Sequence, residues 1–150
     1  MTRLYSRADR TPALRRRLLR WYARAGRDLP WRHTRDPYAV LVSEVMLQQT
    51  QVSRVLPAYT AFLARFPTLA ALAAAPLGDV LRLWGGLGYP RRARDLQRAA
   101  RLAGAALPPD RAGLDALPGV GRYTAGAGAC CTHRQYEPFA GTNVGRGLRR

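Results

Sequence analysis

Apolar residues recur every three or four positions along most of this chain, and no segment alternates with period two for long enough to read as a strand. That pattern predicts an all-α protein. Thr11-Pro12 reads as an N-cap followed by proline in the first turn, after which Leu14, Leu18, Trp21 and Tyr22 share a face while Arg15, Arg16, Arg17 and Arg20 point elsewhere. A first helix is therefore expected as far as about Gly26. Asp36-Pro37 repeats the cap-and-proline signal for a helix over 38–48, apolar on most sides and so expected to be central, with Glu44 in its middle.

Residues 51–66 place Val52, Val55, Leu56, Tyr59, Phe62, Leu63 and Phe66 at helical spacing, and Pro57 should either kink that helix or mark its first turns. Short helices are expected over 68–75 and 77–84, broken by Pro76 and ended by Gly85-Gly86. An Arg-rich helix over 91–105 follows, with Ala93, Leu96, Ala100 and Leu102 as its apolar positions. A short helix over 110–116 and a longer one over 122–131 complete the periodic part. From Thr132 to Arg150 the periodicity fades and glycine recurs at 141, 145 and 147, so this tail should be frayed unless more chain follows it.

Between the last two helices, Leu117-Pro118-Gly119-Val120-Gly121 sets two close-spaced glycines ahead of a helix start. Both can take positive φ and offer backbone N–H groups with no Cβ in the way, and the helix that follows directs its positive end at the same place. This is the chemistry of an anion cradle, although a glycine-rich joint between two helices would use the same residues.

The length of 150 residues allows one domain or a little more. Its net charge of +16 calls for a polyanionic partner, and all 25 of its strongly basic residues are arginine. Codon bias towards Arg, Ala, Gly and Pro accounts for part of this, yet the guanidinium fork still suits phosphates and base edges, so nucleic acid leads. No apolar run is long enough to span a bilayer and residues 1–20 carry no secretory pattern, so a cytoplasmic protein without a membrane partner is expected. Cys130 and Cys131 are adjacent and without spaced partners, which fits small apolar fillers and no metal site.

Glu44 is the most informative single residue. Val42, Val45, Met46 and Leu47 surround it in sequence, so a central helix would desolvate its carboxyl, raise its pKa and suit it to general acid work. A glutamate pointing to solvent or pairing with one of the many arginines is the alternative. The run Ser43-Glu44-Val45-Met46-Leu47-Gln48-Gln49-Thr50-Gln51-Val52 resembles the signature of adenine DNA glycosylases of the MutY family. Leu29-Pro30-Trp31-Arg32, Leu83-Trp84-Gly85-Gly86-Leu87-Gly88-Tyr89, Arg91-Arg92-Ala93-Arg94-Asp95-Leu96 and the glycine hairpin resemble further motifs of that family, in the same order. The likeness runs from about Leu18 to Asn143.

The resemblance implies a helix-hairpin-helix DNA glycosylase fold, incomplete at the C-terminus. Residues 1–32 would belong with an otherwise missing iron–sulfur half-domain, 33–131 would form the helical domain with the hairpin, and 132–150 would begin the return segment. It implies hydrolysis of the N-glycosidic bond of adenine mispaired with 8-oxoguanine or guanine in double-stranded DNA, by a monomeric enzyme acting on a flipped-out base. Glu44 would be the general acid with Tyr123 in support, and Trp31 and Arg32 would line the adenine pocket. Gln48, Gln49, Tyr89, Gly119, Gly121, Arg122 and Asn143 would contact DNA. Where bifunctional relatives such as endonuclease III carry a Schiff-base lysine, this chain has Tyr123, so a monofunctional glycosylase is implied.

Two departures stand against a complete enzyme. The family's second carboxylate precedes an Asn-Val run, and here Thr142-Asn143-Val144 follows Gly141. The family's iron–sulfur cluster (4Fe-4S type) takes four clustered cysteines, which this chain lacks, so no cofactor is expected on it. A fragment, a degraded gene product and a short paralogue that binds DNA without cutting it all remain open. The competing function is accordingly a non-catalytic helix-hairpin-helix DNA-binding fragment.

Overall fold

The computed structural model describes residues 11–133. Eight helices follow one another: α1 (Thr11–Ala25), α2 (Pro37–Leu47), α3 (Val52–Arg65), α4 (Leu69–Ala74), α5 (Leu77–Trp84), α6 (Pro90–Ala103), α7 (Arg111–Asp115) and α8 (Arg122–His133). A single 3-10 turn, Pro30–Arg32, lies between α1 and α2. No strand occurs among the described residues, as the periodicity requires.

Three starts are capped by the side chains the sequence offers. Asp36 accepts from the Tyr38 N–H at 3.0 Å, Thr68 from Ala71 N–H at 3.1 Å and Asp110 from Gly113 N–H at 2.8 Å, each satisfying a first-turn amide that has no helical partner. Pro57 lies inside α3 without ending it. The i−4 carbonyl it leaves without a donor belongs to Ser53, and both residues are exposed, where the loss is small.

Helix α2 is the central element. Every residue from Tyr38 to Met46 except Glu44 is buried, and the helix packs against α3, α6, α8 and the 3-10 turn. Phe62 meets Phe66 and Trp84 edge to face at ring-centroid distances of 5.0 and 6.1 Å, forming the aromatic floor of the core. Gln97 of α6 is buried in this apolar setting because its Nε2 donates to the carbonyls of Leu72 (3.1 Å) and Ala75 (2.7 Å) at the end of α4.

On α6, Ala93, Leu96 and Ala100 are buried as expected, but Leu102 is 69% exposed. Two residues beyond Ala100 is about 200° around a helix, so Leu102 falls on the solvent side and Ala99 takes the inward place. Helix α1 is amphipathic without a covering partner among the described residues: Leu14, Leu18, Leu19, Trp21 and Tyr22 are all exposed.

Candidate active site

Glu44 reaches one end of a cavity of about 530 Å³ whose walls include Leu29, Trp31, Arg32, Ser43, Leu47 and Val52. Tyr22, Arg27, Thr34, Arg35 and Val40 complete it. Helix α2 aims Glu44 into this space because its other faces are committed to the core, and Asp36 and Pro37 fix where the helix starts. The turn after α1 supplies Trp31, whose ring stands edge-on to the buried Tyr59 at 5.2 Å. Arg32 is held by a guanidinium bond to the Arg27 carbonyl and lies over the Tyr22 ring at 5.1 Å.

Burial raises the pKa of the Glu44 carboxyl above the usual glutamate value. None of the ion pairs among the described residues includes Glu44, so no guanidinium cancels that shift. It is also the one carboxylate among the residues that line the cavity. A half-buried carboxyl whose pKa burial raises, facing a cavity, is suited to delivering a proton to a base seated there.

A second cavity of about 600 Å³ collects Gln48, Gln49, Tyr89 and Gly119, together with Arg91, Arg92 and Asp95. Gln48 donates from Nε2 to the Gly119 carbonyl at 3.3 Å and to Thr124 Oγ1 at 3.4 Å, which joins the end of α2 to the hairpin. Gln49 (φ 55°) and Tyr89 (φ 49°) are both left-handed, and Tyr89 is 64% exposed.

The hairpin turn is closed by Leu117 N–H to Leu114 O at 3.1 Å, Val120 N–H to Leu117 O at 3.2 Å and Ala125 N–H to Gly121 O at 2.9 Å. Gly119 takes positive φ (74°), but Gly121 does not, which corrects the expectation for the pair. Its carbonyl accepts the first bond of α8, from the Ala125 N–H, and what distinguishes Gly121 is open space: a Cβ there would meet no atom within 4 Å. Arg122 and Tyr123 are exposed in the first turn of α8 and line neither cavity. Asn143 and Gly141 lie outside the described residues.

Arg92 was not singled out by its sequence position, and it is the most connected side chain of the second cavity. Its guanidinium donates to the carbonyls of Val45 (2.9 Å), Met46 (3.1 Å), Gln48, Leu87 (3.1 Å) and Gly88 (3.1 Å), and to Thr50 Oγ1 at 3.0 Å. Burial lowers its pKa and the neighbouring Tyr89 opposes this. The acceptors are scattered over the end of α2, the turn after it and the loop before α6, so only the motif Arg91-Arg92-Ala93 hinted at the position and nothing at the role.

The family described as HhH-GPD superfamily base excision DNA repair protein matches residues 42–150. The chain belongs to this superfamily. Similar superfamily members include an adenine DNA glycosylase of Mycobacterium tuberculosis, 49% identical over 134 residues that make up 86% of this chain and 44% of the relative. The human adenine DNA glycosylase is 47% identical over 149 residues, 91% of this chain and 27% of that protein. The chain thus spans less than half the length of these relatives. Among solved structures, a thermostable thymine-DNA glycosylase superposes with a TM-score of 0.84 at 29% identity, covering 94% of this chain and 69% of that one. A trapped endonuclease III–DNA covalent intermediate shares the fold at a TM-score of 0.78 and 22% identity, over 93% and 66% of the two chains.

An iron–sulfur cluster of the kind the resemblance implies needs four thiolates. The two cysteines here are neighbours in sequence and Cys130 is half-buried, so they do not fit such a group. Among the described residues no three His, Cys, Asp or Glu side chains are grouped to hold a metal.

Proposed function

We propose that this chain carries the base-excising half of an adenine DNA glycosylase, acting as a monomer on double-stranded DNA with adenine opposite 8-oxoguanine or guanine. The observation that carries the reading is Glu44, a carboxyl desolvated in the first cavity that Trp31 and Arg32 also line, within the part of the chain aligned with relatives that bear that name.

The extruded adenine occupies the first cavity. The Glu44 proton passes to a ring nitrogen of adenine, the bond from C1′ to the base breaks with its electron pair on the base, and neutral adenine leaves. Water adds to the C1′ cation and returns a proton to the Glu44 carboxylate, so the enzyme ends as it began. Tyr123 stands at the start of α8, outside both cavities, where the resemblance expects a supporting role, and with no lysine in the sequence no lysine Schiff base to the sugar can form. Gln48, Gln49 and Tyr89 enter the stack around the vacated position. Gly119, Gly121 and Arg122 hold a backbone phosphate, and Asn143 adds a contact.

A second reading, a DNA-binding module without chemistry, is favoured by one observation. Among the described residues lining the cavity Glu44 is the single carboxylate, and Gly141 stands where the resembling motif carries the one that stabilises the sugar cation. Losing one preorganised electrostatic partner costs about 10²- to 10³-fold in rate.

A single-turnover assay on a duplex with adenine opposite 8-oxoguanine, followed by alkali cleavage, separates the two readings. Abasic product from the parent and none from Glu44→Gln supports the glycosylase. Duplex binding with no product from either protein supports the module.

A further inference from the structure

Among the described residues the two non-glycine residues with left-handed backbones, Gln49 and Tyr89, lie on different loops but line one cavity. Each such conformation is costly and persists only where its surroundings enforce it. One side chain does so for both. Arg92 donates to the Gln48 carbonyl and to Thr50 Oγ1, the acceptors on either side of Gln49, and to the Leu87 and Gly88 carbonyls that lead into Tyr89. Its guanidinium also lies over two rings, Trp84 and Tyr89, each with its centroid 5.4 Å away. The Trp84 ring is fixed in turn by Nε1 donating to the Gly88 carbonyl at 3.1 Å.

We propose that Arg92 is a positioning residue that locks Gln49 and Tyr89 into one paired probe, and that this pairing is what distinguishes a mispaired duplex from a matched one. The DNA side of the proposal rests on the glycosylase reading above; the locking of the pair does not. Lysine cannot replace Arg92, because an ammonium has three donors around one point while the acceptors here are spread over a planar fork and two rings. The Nε of Arg92 is buried without a partner, a cost that the other bonds of the side chain outweigh.

The test uses the full chain labelled with 3-fluorotyrosine, with the Tyr89 fluorine resonance identified by its loss in Tyr89→Phe. In Arg92→Lys the Tyr89 resonance is expected to move towards its position in the denatured chain, while those of the buried Tyr38 and Tyr59 stay. An unmoved Tyr89 resonance overturns the proposal. If Tyr38 and Tyr59 move as well, Thr50→Val, which removes a single acceptor, replaces Arg92→Lys and must still shift Tyr89.

The second arm measures affinity for a duplex with adenine opposite 8-oxoguanine relative to the matched duplex. Loss of charge-assisted bonds should cut that ratio about tenfold in Arg92→Lys, with matched-duplex affinity unchanged. A ratio kept intact overturns the proposal. A parent that binds both duplexes alike counts against the glycosylase reading instead, and the fluorine arm then decides the locking on its own.

Discussion

The Cβ of Asp95 lies 3.0 Å from where a side chain at Gly119 would begin. Helix α6 and the hairpin touch there with no room for a methyl group, at a glycine whose φ of 74° already disfavours one. Gly119→Ala should therefore lose about 1–3 kcal/mol of stability. Gly121→Ala, placed in open space, should stay within about 0.5 kcal/mol of the parent while weakening duplex binding. Urea unfolding and a binding titration on both variants measure the two effects; equal destabilisation by the two would refute the distinction.

Glu44 makes stability depend on pH in a known direction. Its folded pKa is raised by burial, so its favourable contribution is fully present below the unfolded glutamate value and is lost as pH rises through the folded pKa. Glu44→Gln cannot ionise. The variant should gain stability relative to the parent as pH is raised across that window, in urea melts run at a series of pH values. A constant difference would mean that the carboxyl is not desolvated.

Gln97 spans the gap between α6 and the end of α4 by donating to two buried carbonyls. Gln97→Met keeps the volume and strips both acceptors of their donor, at about 1–3 kcal/mol. Thermal unfolding should show it, and restoring the amide with Asn should recover little because the shorter side chain cannot reach.

Duplex binding should be strongly salt-dependent if the arginine surface neutralises phosphates. With about six phosphates contacted, affinity falls roughly 10³-fold between 50 and 200 mM salt. A slope near zero in a salt titration would argue that the net charge is not what holds DNA.

Much of this was legible in the residue order because it is local. Asp36 caps the helix it was expected to cap, and the apolar run around Glu44 did forecast a central helix with a desolvated carboxyl. Leu102 was misread because an apolar residue near the end of a periodic run looks like part of it, although its angle around the helix points it away. Arg92 and Gln97 were invisible for a deeper reason. Most of their partners are backbone carbonyls, which carry no residue identity, on segments 22 to 47 positions away.

Tyr22 forms part of the first cavity's wall, yet the helix that carries it leaves Leu14, Leu18, Leu19 and Trp21 in water. That makes the cavity a shared property of α1 and the body, with the Arg32 guanidinium over the Tyr22 ring as a latch between them. The apparent affinity of anything entering it equals the intrinsic affinity multiplied by the fraction of molecules in which α1 is seated. A partner that clamps α1 would then tighten ligand binding from outside, without contributing one atom to the cavity.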